Sequence, residues 1–167
     1  MNPRRQIALM AQCRAVIRRR IADPLLSLLT QGVAPERLAL SVAVGIVVGN
    51  VPILGLSTVL CVAIALLFEL NLVAIQIAQA AMAPTQLLLL IPFVRLGDWL
   101  LRAPPQALSL HADPALIAGG VGHAIAVLWR AMLHGALAWL LVAPEAIFLL
   151  HKALTPVFER AAAALRR

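Results

Sequence analysis

GNVPILGLST, residues 49–58, is the stretch on which the architecture turns. It sets Gly49, Asn50, Pro52 and Gly55 inside an apolar run, Leu38–Phe68, that holds no Asp, Glu, Lys or Arg. Proline has no N–H to donate within a helix, so Pro52 leaves the carbonyl of Val48 without its usual partner. Gly55 tolerates backbone angles that other residues avoid, and Ser57 and Thr58 offer hydroxyls in the next turn. Together these residues read as helix, turn, helix. As one straight helix, Leu38–Glu69 would run about 48 Å, against a bilayer core of roughly 30 Å. Folded at Asn50–Gly55, the first limb is too short to span alone, which fits a re-entrant hairpin or a discontinuous helix. A kinked, steeply tilted span is the competing reading. Gly45 and Gly49, four apart, share a helix face and permit close packing of a neighbouring backbone.

Composition supplies the setting for that break. Hydrophobic residues make up 62% of the 167-residue chain and charged residues 13%, and the mean hydropathy is +0.94. A soluble domain carries about 45–50% apolar and roughly a quarter charged residues, and a chain this short cannot bury so much apolar side chain. Leu70–Val94 is a second long uncharged run, Ala131–Leu150 a third, interrupted by Pro144 and Glu145, and Pro114–Trp129 a softer fourth. None alternates with period two, which excludes a barrel. The expectation is an all-α integral membrane helical bundle, with Pro/Gly-broken or re-entrant helices and an amphipathic N-terminal helix.

The second run repeats the theme of the first. QIAQAAMAPTQLLLL carries Pro84 near its middle, followed by Thr85 and Gln86, while Gln76 and Gln79 share a small-and-polar stripe with Ala80 and Ala83. Pro84 suits the first position of a new half-helix. Two successive proline interruptions resemble the paired broken helices of transporters. They define a candidate mid-membrane polar site of Gly49, Asn50, Pro52, Gly55, Ser57, Thr58, Pro84, Thr85 and Gln86, with half-helix N-termini near Ile53 and Thr85.

Charge sets the orientation. Arg4, Arg5, Arg14, Arg18, Arg19 and Arg20 precede Ile21 with no acid among them, and Lys152, Arg160, Arg166 and Arg167 close the chain. Basic flanks stay cytoplasmic, so both termini are expected on that side of a bacterial inner membrane, with an even number of crossings. The net charge of +7 also raises nucleic acid as a partner, but no aromatics interleave the arginines and no binding module accompanies them. Ile7, Met10, Ile17 and Ile21 can instead share one side of a helix lying on acidic phospholipid, with Arg14, Arg18, Arg19 and Arg20 as the lipid contacts. A pure topology signal is the simpler reading of the same arginines. The chain thus divides into residues 1–35, a basic interfacial segment; 36–155, the membrane domain; and 156–167, a basic tail. Cys13 and Cys61 read as free thiols rather than a disulfide.

The block SVAVGIVVGNVPILGLSTVLCVAIALLFELNL, followed by MAPTQLLLLIPFVRLGDWL, resembles the bacterial domain of unknown function 2062. Gly45, Gly49, Pro52, Gly55, Thr58, Asn71, Pro84, Thr85 and Gly97 occupy the positions of its pattern over Glu36–Arg102. Ala83 departs from it, where asparagine often precedes the second proline. The resemblance implies a small bacterial cytoplasmic-membrane protein and assigns no activity.

Other polar residues read as structural. Arg95 and Asp98 can pair along a helix. Arg130 and His134, one turn apart, can face a shared wet cavity, but an interfacial belt of Trp129, Arg130 and Trp139 is the favoured reading. Asp113 before Pro114 suits a helix start in the loop RAPPQALSLHADPAL. No metalloprotease, nucleophile-elbow or phosphate-loop motif is present, so no enzyme, cofactor or metal is expected. The function read from this pattern is a small transporter or lipid-translocating protein, acting as a homo-oligomer. The alternative is a membrane anchor or assembly subunit that binds a partner protein and acidic lipid.

Overall fold

Residues 18–53, 55–103 and 120–165 are described by the computed structural model, and their regular structure is all helical. A π-helical turn, Arg18–Ala22, leads into α1 (Asp23–Thr30). There follow α2 (Pro35–Gly49), α3 (Leu56–Leu67), α4 (Leu72–Leu100) and α5 (Gly120–Leu165). Much of the amphipathic helix expected over Ile7–Ile21, Arg14 and Cys13 included, lies outside the described residues, as do Asp113 and Pro114. Arg18 and Arg19 are exposed in the π-helical turn.

Helix ends follow local chemistry. Pro35 begins α2 where an N–H is not needed, and Glu36 in its first turn complements the helix dipole. Asn71 caps α4, its Oδ1 accepting the Ala74 N–H at 2.9 Å. The Asn71 N–H itself donates to Ser41 Oγ (3.0 Å), and that hydroxyl donates to the Arg37 carbonyl (2.8 Å). The start of α4 is thereby tied to the start of α2.

Contacts between helices give their directions. Val44 and Val48 of α2 share one core cluster with Cys61 and Ala65 of α3, so α3 folds back along α2 as a helical hairpin. Helix α4 then runs parallel to α2. A Cβ on Gly45 would stand 2.5 Å from the Ile75 carbonyl oxygen and 2.7 Å from Ala78 Cβ, and one on Gly49 would stand 3.1 Å from Gln79 Cα. Helix α5 returns antiparallel, with Trp139 beside Val47, Gly135 against Pro52 and Val94, and His134 against Gly97 and Asp98. Its later turns carry Leu154 and Phe158 to the cluster of Leu25, Leu28 and Leu38. Helix α1 and the end of α5 therefore lie at one end of the bundle, with the α3–α4 junction. The other end is formed, among the described residues, by α4 and α5.

Helix α2 is the core. It is enclosed by the others, and Leu38, Ala39, Ser41, Ala43 and Val48 are essentially inaccessible. The outer helices are the reverse. α4 and α5 are long and apolar enough to cross a membrane, yet the most apolar windows are only 11% and 17% buried. The core helix of a soluble protein would be mostly covered. Leu66, Leu67, Phe68, Leu88 and Trp99 are all more than 60% exposed, a surface suited to lipid.

Two expectations are corrected. Helix α4 runs unbroken through Pro84 and Pro92, so no second half-helix begins at Pro84. One proline removes one backbone bond, and α4 is gripped on both sides of it, by α2 at Ile75–Gln79 and by α5 at Val94–Asp98. At residues 49–55 two glycines, a proline and an asparagine act together, and there the helix stops. Likewise Ala131–Leu150 and the end of Pro114–Trp129 belong to one 46-residue helix, which runs through Pro144 and Pro156 to Leu165.

Candidate polar site at the α2–α3 turn

The turn begins where α2 runs out of donors for its last carbonyls. Those of Ile46, Val47 and Val48 each find a partner. The Asn50 N–H donates to the Val47 carbonyl (3.1 Å), and its side-chain Nδ2 reaches back to Ile46 (2.7 Å). Pro52 cannot serve Val48, and the Val51 N–H does so instead at 3.1 Å. Trp139 Nε1 of α5 donates to Val47 at 3.0 Å, and Gln86 Nε2 of α4 to the Val51 carbonyl at 2.8 Å. Side chains from three elements thus close the carbonyl end of α2.

The start of α3 is treated differently. Gly55 stands at its N-cap in the left-handed region (φ +84°) and brings no side chain to the first turn. The Leu56 N–H is taken by the Ile53 carbonyl at 3.3 Å. Ser57 and Thr58 hydroxyls accept from Gln79 Nε2 of α4, at 3.1 and 2.9 Å. Gly49, Asn50, Pro52 and Ser57 are buried, whereas Gly55 and Thr58 are exposed.

Two oxygens remain without a partner. Asn50 Oδ1 and Gln79 Oε1 are inaccessible and accept no hydrogen bond from the described residues. Asn50 is only 7% exposed. A buried polar atom left unpaired costs about 1–3 kcal/mol, and native structures hold few. Both oxygens belong to one locality, because Gly49, next to Asn50, packs on Gln79. No charged side chain occurs between Leu38 and Phe68, so the site is polar but uncharged along that hairpin. No cluster of metal-ligating side chains occurs among the described residues.

Of the residues expected to form the site, the structure gathers Gly49, Asn50, Pro52, Gly55, Ser57, Thr58 and Gln86. Thr85 is half-buried beside Gln86, and Pro84 is exposed on α4. Gln79 and Trp139 are the additions. Gln79 and Gln86 are seven apart, two turns along one helix face, a spacing visible in the sequence. Trp139 gave no such signal; its indole bonds the carbonyl end of α2. Gly45 and Gly49 both face α4.

A second polar contact fastens the opposite end. His134 Nδ1 and Asp98 Oδ1 meet at 2.6 Å between α5 and α4, both largely buried. A Cβ on adjacent Gly97 would collide with the His134 backbone. Arg95 and Arg130 are exposed. Near the terminal end, Lys152 lies 4.6 Å over the Phe148 ring, and a groove of about 550 Å³ separates Leu29–Pro35 from Ala162 and Leu165.

Residues 18–163 match the model of a family described as an uncharacterized protein conserved in bacteria (DUF2062). Neither a curated protein nor a solved structure matches the chain.

Proposed function

The chain belongs to the bacterial DUF2062 family, and from that premise we propose that it is a multi-pass inner-membrane protein that handles a polar or polar-headed molecule at a re-entrant turn. In this reading α4 and α5 cross the bilayer, and α2–α3 enters from the side of α1 and returns to it. α2 has 15 residues and α3 12, both short of the about 20 a crossing needs. The turn is level with Gln79–Gln86, near the middle of the 29-residue α4, and so at mid-membrane depth. The first and last described residues, Arg18 and Leu165, would share one side, and the arginines at each end of the sequence favour the cytoplasm for it.

The observation that carries the function is the pair of buried acceptors, Asn50 Oδ1 and Gln79 Oε1, left open at that turn. Irregular backbone at membrane depth persists where it is buried in protein or lines a wet cavity. Buried acceptors without donors favour the cavity. Transport or lipid translocation by a homo-oligomer is the activity that follows, because two crossing helices cannot alone enclose a pathway. The groove beside Leu29–Pro35 favours a second reading, an anchor whose cytoplasmic end holds a partner protein.

Single-cysteine variants in sealed vesicles test the proposal, with Cys13 and Cys61 replaced. An impermeant thiol reagent is expected to label Gln31→Cys from the cytoplasmic side only, Arg102→Cys from the opposite side only, and Asn50→Cys and Thr85→Cys measurably. Labelling of Gln31→Cys and Arg102→Cys from one side would remove the crossing by α4. Complete protection of Asn50→Cys and Thr85→Cys would make the turn a packed joint and favour the anchor.

A further inference from the structure

The two sides of the α2–α3 turn have opposite polarity. On one side, Asn50 Oδ1 and Gln79 Oε1 are buried acceptors in want of donors. The Asn50 amide cannot turn round to relieve this, because its Nδ2 is held by the Ile46 carbonyl at 2.7 Å. On the other side stands the first turn of the 12-residue α3, with Gly55 at its N-cap and no side-chain cap. The leading N–H groups of a helix have no partners within it and carry the positive end of its dipole. Gln79 joins the two sides, since its amide holds both Ser57 and Thr58 of that turn.

The missing charge narrows the ligand. From Leu38 to Phe68 the hairpin holds no ionised side chain, and a net charge brought to its turn would find no counter-charge on it, at a cost of several kcal/mol. A group that is neutral overall but carries a strong donor at one end and an anion at the other meets all three conditions. From this we infer that the α2–α3 turn binds the polar head of a zwitterion, a primary ammonium joined to a phosphate or carboxylate. The ammonium donates to Asn50 Oδ1 and Gln79 Oε1, and the anion lies at the first turn of α3 beyond Leu56, whose own N–H is taken by Ile53. A quaternary ammonium has no hydrogen to donate, and a glycerol-phosphate head is a net anion, so both are disfavoured. The inference rests on the proposed membrane placement of the turn and adds the class of ligand.

The test is native mass spectrometry of the full chain released from mild detergent. Phosphatidylethanolamine, phosphatidylcholine, phosphatidylglycerol and soluble glycerophosphoethanolamine are each offered at equal concentration. Phosphatidylethanolamine is expected to be retained roughly tenfold or more over the other two lipids, the range for a hydrogen bond to a charged group. Retention of glycerophosphoethanolamine as well would identify a free solute as an equally good source of the head. Asn50→Leu and Gln79→Met are each expected to lose most of that preference while eluting as the unaltered protein does. Should Asn50→Leu fail to fold, Gln79→Met and the comparison of the three lipids on the unaltered chain decide alone. Equal retention of the three lipids, or a preference untouched by Gln79→Met, overturns the inference. If that happens while Asn50→Cys is labelled from water, the proposed wet turn survives and only its ligand class falls. If the cysteine is also protected, both fall.

Discussion

Gly45→Ala places one methyl group where α2 and α4 come closest. The new Cβ would lie 2.5 Å from the Ile75 carbonyl oxygen and 2.7 Å from Ala78 Cβ. Ordinary separations are about 3.3 Å for carbon and oxygen and about 3.5 Å or more for two carbons, so the helices must part locally by roughly 0.8 Å. Nothing near is a flexible side-chain end that can swing away. Overpacking of this kind costs about 1–3 kcal/mol, and alanine's better helix propensity returns roughly 0.5–1 kcal/mol of it. A net loss of up to about 2.5 kcal/mol lowers the thermal midpoint of a chain this size by up to roughly 10 °C. Cys61 is fully buried, so a thiol-reactive fluorophore in mild detergent reports unfolding once Cys13 is replaced. Gly122→Ala is the control, because a Cβ there meets nothing within 4 Å, and its midpoint should hold or rise slightly. Adding Ala78→Gly to Gly45→Ala should restore part of the loss and no more, since the Ile75 carbonyl remains. A midpoint for Gly45→Ala that rises with the control would refute the close packing of α2 on α4.

Three further outcomes are expected from the same assay. Asn71→Ala removes the cap of α4 and should cost about 1 kcal/mol, or roughly 2–4 °C, while Asn71→Ser keeps most of it. Trp139→Phe retains the ring and deletes the donor to Val47, so a loss of about 1 kcal/mol is expected; an unchanged midpoint would mean that α5 does not close α2. His134→Leu takes from buried Asp98 the partner it meets at 2.6 Å and should destabilise by about 1–3 kcal/mol, with Arg130→Gln, an exposed neighbour, close to neutral.

The sequence by itself determined the all-helical class, the apolar exterior and the break after Gly49, because each rests on residues close together in the chain. Pro52 and Gly55 act on their own backbone, and Asn71 caps its own helix. The small face of Gly45 and Gly49 was also legible, since a spacing of four keeps two residues on one side wherever the helix goes. Only the tertiary structure decided what the break would be surrounded by. Gln79 and Gln86 reach the turn because the hairpin lays α4 alongside it, and Trp139 arrives from 92 residues beyond Val47. Pro84 shows the same dependence in reverse. Its local chemistry weakens a helix, but packing against α2 before it and α5 after it keeps α4 whole, because contacts distributed along two neighbours outweigh one missing backbone bond. Asp98 meets His134 across 36 residues, a pairing that spacing along one helix could not reveal. Helical periodicity states which residues share a face; the register of one helix on another, set by Gly45, Gly97 and Gly135, decides which faces meet.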